Sequence, residues 1–191
     1  MENLVSRSRG SKATQLIFFV FLFATIGYAG YSYLTLRPLS SREIVRFETA
    51  GTIAKAEAII GRWKQDDGLV FRKAVRSIHL DYIFIVLYTA LLSVTCRIVA
   101  IKSKQAVFKN ASIVVIVLII GAGICDLIEN LAMTHTLTQS IDRWSVRLAY
   151  DMAVAKFAVI ILSILFIVVS TAFWILEPKS IKAYQHRSAS S

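Results

Sequence analysis

The stretch ASIVVIVLIIGAGICDLIEN, residues 111–130, is apolar for most of its length and ends on two acids and an amide. A run of apolar residues of this kind predicts a helix that crosses a lipid bilayer, which needs roughly 20 of them. Asp126, Glu129 and Asn130 follow while the helix is still close to lipid, where an ionisable group is costly. The stretch therefore predicts a membrane protein with a layer of polar side chains.

The rest of the chain repeats the apolar pattern. The whole sequence is 56% hydrophobic and 18% charged, with a mean hydropathy of +0.62, which is too apolar for an ordinary soluble domain. We predict an all-α polytopic membrane protein that forms one membrane domain over residues 1–191. It would be a four-transmembrane-helix bundle, with spans at about residues 14–36, 78–100, 110–132 and 153–176. The two middle uncharged stretches are only 15 and 16 residues long, so each of these spans must include charged neighbours.

The first apolar segment has a second interpretation. Gly27-Tyr28-Ala29 is a small-x-small sequence of the kind at which a signal peptide is cleaved. The uncharged run continues beyond it through GYSYLTL, residues 30–36, whose tyrosines suit the interfacial belt of a retained helix. We favour a retained helix, and cleavage of residues 1–29 is the alternative.

Basic residues near the short connections predict the orientation. Lys and Arg are frequent in short cytoplasmic segments, and with four spans three basic groups fall on one side. This predicts cytoplasmic termini and an extracytoplasmic connection at about residues 40–77. That connection argues the other way, because residues 37–77 carry nine Lys or Arg against five acids, although longer loops follow the rule poorly. The three groups are Arg7, Arg9 and Lys12; Arg97, Lys102, Lys104 and Lys109; and Lys179, Lys182 and Arg187.

The connection itself is predicted to be a helical hairpin between spans 1 and 2. Ser40 and Glu43 fit a capping box at the start of a helix for which Gly61 is a candidate C-cap. The turn KQDDG, residues 64–68, separates this helix from a second one that runs from Leu69 into the second span. An apolar face would pack against lipid headgroups or against the bundle, through Phe47, Ile53, Ile60 and Trp63.

Polar side chains from three spans are predicted to lie at one level near the outer interface. With a rise of 1.5 Å per residue, Asp81, Glu129 and Lys156 each lie ~30 Å from a charged residue at the cytoplasmic end of the same span. In the third span the i, i+3, i+4 spacing places Asp126, Glu129 and Asn130 on one face. Small residues continue this face toward the other end, so we expect it to look inward.

Short motifs within these segments carry a resemblance. They are FETAG (residues 47–51), LDYIFIVLY (80–88), CDLIENL (125–131) and AKF (155–157). They resemble the motifs of small bacterial four-span integral membrane proteins without an assigned activity, over roughly residues 44–160. The resemblance implies a bacterial inner membrane protein and one set of candidate ligand- or ion-binding residues, and no substrate. That set is Glu48, Asp81, Asp126, Glu129, Asn130 and Lys156.

The polar layer has three interpretations. The acids are simply interfacial, or an Asp126–Lys156 pair locks adjacent helices, or the layer binds a ligand or ion or is catalytic. Four acids face one intramembrane lysine, so a divalent cation is a candidate cofactor. His79 and His135 flank the layer and are weak candidates for metal ligands, because their spacing matches no metal motif.

Three functions follow from these interpretations. The first is a non-enzymatic membrane protein that binds a small ligand, ion, lipid headgroup or partner. The second is an enzyme acting on a lipid or isoprenoid, with Asp126 or Glu129 as the base and Lys156 stabilising anionic charge. The third is a structural subunit of a larger membrane complex. Besides the bilayer, a second copy or such a complex is a candidate partner; the net charge of +10 lies mainly in tails and connections and does not predict nucleic-acid binding.

Overall fold

The computed structural model describes residues 2–103 and 105–176, with only the backbone described at residues 2–11 and 66. Within these ranges all regular secondary structure is helical and there is no strand, as the sequence predicts. The basic residues at positions 104, 179, 182 and 187 lie outside the described residues. The six α-helices are α1 (Glu2–Leu36), α2 (Ser41–Glu48), α3 (Ile53–Trp63), α4 (Leu69–Lys102), α5 (Ala106–Thr138) and α6 (Arg143–Leu176).

Four of these helices are long and apolar enough to cross a membrane. They are α1 from Lys12 onward, α4, α5 and α6, with mean hydropathies between 1.7 and 2.8 in their most apolar windows. This confirms the prediction of four apolar helices in a multi-pass bundle. The inward face of α5 is also as predicted, because Ala122 and Gly123 are buried. On α6, Ser163 and Ser170 are buried as well.

The connection between α1 and α4 differs from the prediction in one respect. The capping box is confirmed, since Ser40 Oγ accepts from the Glu43 amide and the Glu43 carboxylate accepts from the Ser40 amide. The single helix ending at Gly61 is wrong, because two short helices, α2 and α3, occupy this region and α3 continues through Gly61. The break lies at Gly51, whose φ of +67° belongs to the left-handed region that glycine tolerates best.

The end of the connection is as predicted. A single 3-10 turn covers Asp66–Gly68, with positive φ at Asp67 and Gly68. Helix α4 then begins at Leu69 and continues without interruption to Lys102.

Helices α2 and α3 pack on one end of the bundle. Phe47 and Trp63 are buried with their ring centroids 5.2 Å apart, Ile60 is buried beside them, and Ile53 is 36% exposed. The core that they form includes side chains from the start of α4, the end of α5 and the start of α6, among them Ala74, Ile78, Met133, Leu137, Val146 and Ala149. The apolar face of the connection therefore packs against the bundle.

Helix α1 lies against α4 and is held there by two hydrogen bonds. Tyr28 Oη donates to the Leu80 carbonyl at 2.7 Å, and Lys73 Nζ donates to the Thr35 carbonyl at 2.5 Å. Most of the large apolar side chains of α1 are exposed, as a lipid-facing helix requires. Elsewhere in the bundle, Cys96 and Cys125 are free.

Candidate functional site

Lys156 is the centre of a buried polar cluster. Its Nζ atom lies 2.6 Å from Asp126 Oδ1, 2.8 Å from Glu129 Oε2 and 3.7 Å from Glu48 Oε2. An ammonium has three N–H donors, so Lys156 faces as many carboxylates as it has donors. The distance to Glu48 is too long for a hydrogen bond, and that contact is an ion pair only.

Further hydrogen bonds extend the cluster to α4. Tyr88 Oη donates to Asp126 Oδ2 at 2.9 Å, so both oxygens of this carboxylate are engaged. Asn130 Nδ2 donates to Asp81 Oδ2 at 2.8 Å. Helices α2, α4, α5 and α6 each contribute at least one side chain, and the cluster therefore links four helices.

The six residues predicted as one set are thus brought together by the fold. Asp126, Glu129 and Asn130 are 3% exposed or less, and Glu48 and Lys156 are also buried, whereas Asp81 is half-buried. Local sequence explains part of this arrangement, because the three α5 residues share one face through their spacing. Glu48 is the last residue of α2, three residues before the break at Gly51.

The cluster contains more acids than bases. The cluster holds four carboxyl groups, three of which contact its single amine, so complete ionisation would leave an excess of three negative charges in a low-dielectric site. Such an excess is unstable unless protons or a cation neutralise part of it. Burial raises the pKa of Glu48 above its ordinary value, and the nearby Lys156 charge opposes this only in part.

Several acceptors of the cluster have no donor in the described part of the chain. They are Asn130 Oδ1, Glu48 Oε2 and both carboxylate oxygens of Glu129. For Glu129 Oε2 this means that its 2.8 Å contact with Lys156 is an ion pair without hydrogen-bond geometry. A buried acceptor without a donor costs free energy, so this side of the cluster is incomplete without a further donor.

A partly open cavity of about 190 Å³ lies beside the cluster, between α1, α2, α4 and α5. Glu48, Asp81 and Asn130 form its polar end. Most of the remaining wall is apolar, with contributions from Ala29, Leu36, Leu39, Ile44, Ile78 and Met133. The volume corresponds to roughly six water molecules, so the cavity accommodates a small chemical group and not a large ligand.

The two histidines make contacts of a different kind. His79 is exposed and its Nδ1 contacts the Val75 carbonyl at 3.0 Å, within α4. His135 Nε2 lies 2.9 Å from Asp142 Oδ2, and its ring lies 4.6 Å from the Trp144 ring. Within residues 2–103 and 105–176, no group of three or more His, Cys, Asp or Glu side chains has the arrangement of a metal site.

Two parts of this site were not included in the sequence-based set. Tyr88 is seven residues from Asp81 and so shares its helix face, and this spacing was the available signal for its contact with Asp126. Ser32 of α1, whose Oγ is buried and has no hydrogen-bond partner among the described residues, lines the cavity. No sequence pattern connects α1 to the polar layer, because their contact depends on how α1 packs against α4.

Comparison of the chain with protein-family models, with curated proteins and with solved structures finds no match.

Proposed function

We propose that the protein is a multi-pass membrane protein that binds a small ligand at the polar cluster, in the cavity between α1, α2, α4 and α5. The observation that carries this proposal is the set of buried acceptors at the cavity end. Asn130 and Glu48 line the cavity, and their Oδ1 and Oε2 atoms are buried and have no hydrogen-bond donor in the described residues. A ligand that donates to them would remove the cost of burying them unpaired.

The arrangement of the acids favours binding over a purely structural role. One carboxylate would be enough to neutralise Lys156, and Asp126 alone contacts it at 2.6 Å. Asp81 belongs to no ion pair within the described ranges and faces the cavity instead. A helix lock does not require this additional acid.

The bacterial inner membrane is the proposed location, with both termini in the cytoplasm. The support for this orientation is the basic α4–α5 connection with Lys102 and Lys109, together with the basic residues near both termini. In this orientation the polar cluster lies near the outer surface, because Glu48 comes from α2, which is outside the spanning helices.

The test fills the cavity from its α1 wall. Ala29 lines the cavity, whereas Ala24 lies on the same helix, is exposed and does not line it. The Ala29→Phe and Ala24→Phe variants would be purified under mild conditions with the wild type, and native mass spectrometry would measure molecules that remain bound. We expect a bound mass in the wild type and Ala24→Phe, and its loss in Ala29→Phe.

Melting curves of all three proteins serve as the folding control. Ala24 and Ala29 are both exposed, so their replacement leaves the core unchanged. Absence of any bound mass in the wild type, or an equal mass in all three proteins, would contradict ligand binding in this cavity and favour a structural subunit.

A further inference from the structure

We infer that the ligand of this cavity carries a protonated primary amine next to a small apolar group, and that the amine binds between Glu48, Asp81 and Asn130. This inference rests on the proposed function and specifies the ligand class. The lipid that presents such a group in a bilayer is one with an ethanolamine headgroup, and a free small amine is the other source of the same chemistry.

The residues at the polar end of the cavity carry acceptor atoms that have no donor. Asn130 uses its amide nitrogen to donate to Asp81, which leaves the amide oxygen free to accept. Glu48 Oε2 is likewise without a donor, and its nearest cation, Lys156 Nζ, is 3.7 Å away. Asp81 supplies a second carboxylate. A primary ammonium has three N–H donors and no acceptor, so it matches this set in both charge and hydrogen bonding.

Lys156 is not positioned to be the amine that binds at the polar end of the cavity. Its ammonium lies 2.6 Å from Asp126 and 2.8 Å from Glu129, and the cavity wall includes none of these three residues. The cavity therefore borders the half of the cluster that Lys156 reaches only through the 3.7 Å ion pair with Glu48. An external amine would neutralise this half without displacing Lys156.

An anionic or quaternary group fits less well. A phosphate would face two carboxylates, Glu48 and Asp81, and would be repelled. A trimethylammonium group carries the positive charge but has no N–H donor, so Asn130 Oδ1 and Glu48 Oε2 would stay unpaired. The difference between primary and quaternary amines is therefore the discriminating property.

The apolar walls accept the carbon part of the ligand. Leu36, Leu39 and Ile78 are buried beside the polar end, and Phe84 lines the α4 wall. With about 190 Å³ the cavity holds the ethanolamine group and not a complete lipid, so the phosphate and the acyl chains would remain outside it.

The experiment compares phosphatidylethanolamine with phosphatidylcholine, which differ in N-methylation. The protein would be placed in nanodiscs of an equimolar mixture and released, and the lipid retained would be measured by native mass spectrometry. We expect wild type to retain phosphatidylethanolamine about tenfold over phosphatidylcholine, the order of effect of one charge-assisted hydrogen bond. Asp81→Asn and Ala29→Phe should lose this preference. Asp151→Asn should keep it, because Asp151 is an exposed acid that pairs with Arg147.

A second arm distinguishes the source of the amine. Ethanolamine would be added to protein in nanodiscs of phosphatidylcholine alone, and melting temperatures would be recorded. A rise in wild type and Asp151→Asn but not in Asp81→Asn, together with no lipid preference, assigns the amine to a soluble molecule. The amine inference is overturned if wild type shows neither a lipid preference nor a rise in melting temperature with ethanolamine. It is also overturned if Asp151→Asn abolishes the lipid preference. If Ala29→Phe still loses its bound mass in those cases, the proposed function stands with another ligand class.

Discussion

The Nζ atom of Lys156 on α6 lies 2.6 Å from Oδ1 of Asp126 on α5, and both side chains are buried. Tyr88 donates a hydrogen bond to the second carboxylate oxygen of Asp126. Glu129 and Glu48 also form ion pairs with the ammonium. The amine thus contacts carboxylates from two other helices, α5 and α2, and Asp126 links it to Tyr88 on α4. Its removal would leave several carboxylates without a cation, which makes the contact a sensitive point of the bundle.

The first prediction concerns this pair. Asp126→Ala and Lys156→Met should each destabilise the protein by about 3 kcal/mol, because each removes one partner of the 2.6 Å contact between two buried charged groups. The double variant should cost less than the sum of the two single changes. Chemical unfolding in detergent would measure this double-mutant cycle, and strict additivity would contradict it.

The control cycle uses the exposed pair of Arg147 and Asp151, in which Arg147 Nε lies 3.0 Å from Asp151 Oδ2. A surface pair of this kind should give an interaction energy of about 0.5 kcal/mol or less. A similar energy in both cycles would mean that burial does not strengthen the Asp126–Lys156 contact.

The second prediction concerns the break between α2 and α3. Gly51→Ala should destabilise the protein by about 1–2 kcal/mol, because an alanine at φ +67° is strained and its Cβ would lie 3.2 Å from the Tyr150 ring. Gly61→Ala is the matched control within α3, where no atom lies within 4 Å of the added carbon. It should stabilise by up to about 1 kcal/mol. Equal effects of the two changes in thermal melts would contradict this explanation.

The break at Gly51 also illustrates what the sequence could not predict. Periodicity and helix formers favour one helix through residues 42–60, and the only local signal against it is Thr52, which follows Gly51 and caps α3. The difference comes from the fold: Gly51 lies against the Tyr150 ring of α6, whereas Gly61 faces open space. Contacts between segments distant in sequence decide which glycine ends a helix.

The polar cluster was more accessible to sequence reasoning. The spacing of Asp126, Glu129 and Asn130 fixes their common face, and a buried acid on one spanning helix requires a nearby base, for which Lys156 was the candidate. The contact between Asn130 and Asp81 depends on the relative rotation of α4 and α5, which spacing does not determine. The cavity depends in addition on the position of α1.

The third prediction concerns the close approach of α4 and α5. A Cβ at Gly123 would lie 3.0 Å from Thr89 Oγ1, while one at Gly121 would meet nothing within 4 Å. Gly123→Ala should therefore be less stable than Gly121→Ala by about 2 kcal/mol, because the added methyl group overpacks the interface only at position 123. The gain in helix propensity is common to both variants and does not affect this difference. Unfolding in detergent measures both. Adding Thr89→Ala should restore Gly123→Ala, and a failure to do so would place the strain elsewhere.

The fourth prediction concerns orientation. Single cysteines would be introduced at Asp67 and Gln105 in a background with Cys96→Ala and Cys125→Ala. Both positions are exposed, whereas Ser103 in the same connection as Gln105 is buried and would give a false negative. In intact cells an impermeant thiol reagent should label position 67, and position 105 only after permeabilisation. The reverse pattern would overturn the proposed orientation.

The fifth prediction concerns pH. Burial raises the pKa of Glu48 above its ordinary value of 4.5, so the fold favours the protonated form. The resulting stability is complete below that ordinary value and is lost as pH rises through the higher pKa of the folded state. Glu48→Gln keeps a neutral side chain, so its melting temperature relative to wild type should be higher at about pH 8 than at about pH 5.

Asp142→Asn is the control of opposite sign: hydrogen bonds from Ser140 and His135 lower the pKa of Asp142, so its contribution is lost on acidification. A pH-independent difference between wild type and Glu48→Gln would show that Glu48 has the same charge in the folded and unfolded chain.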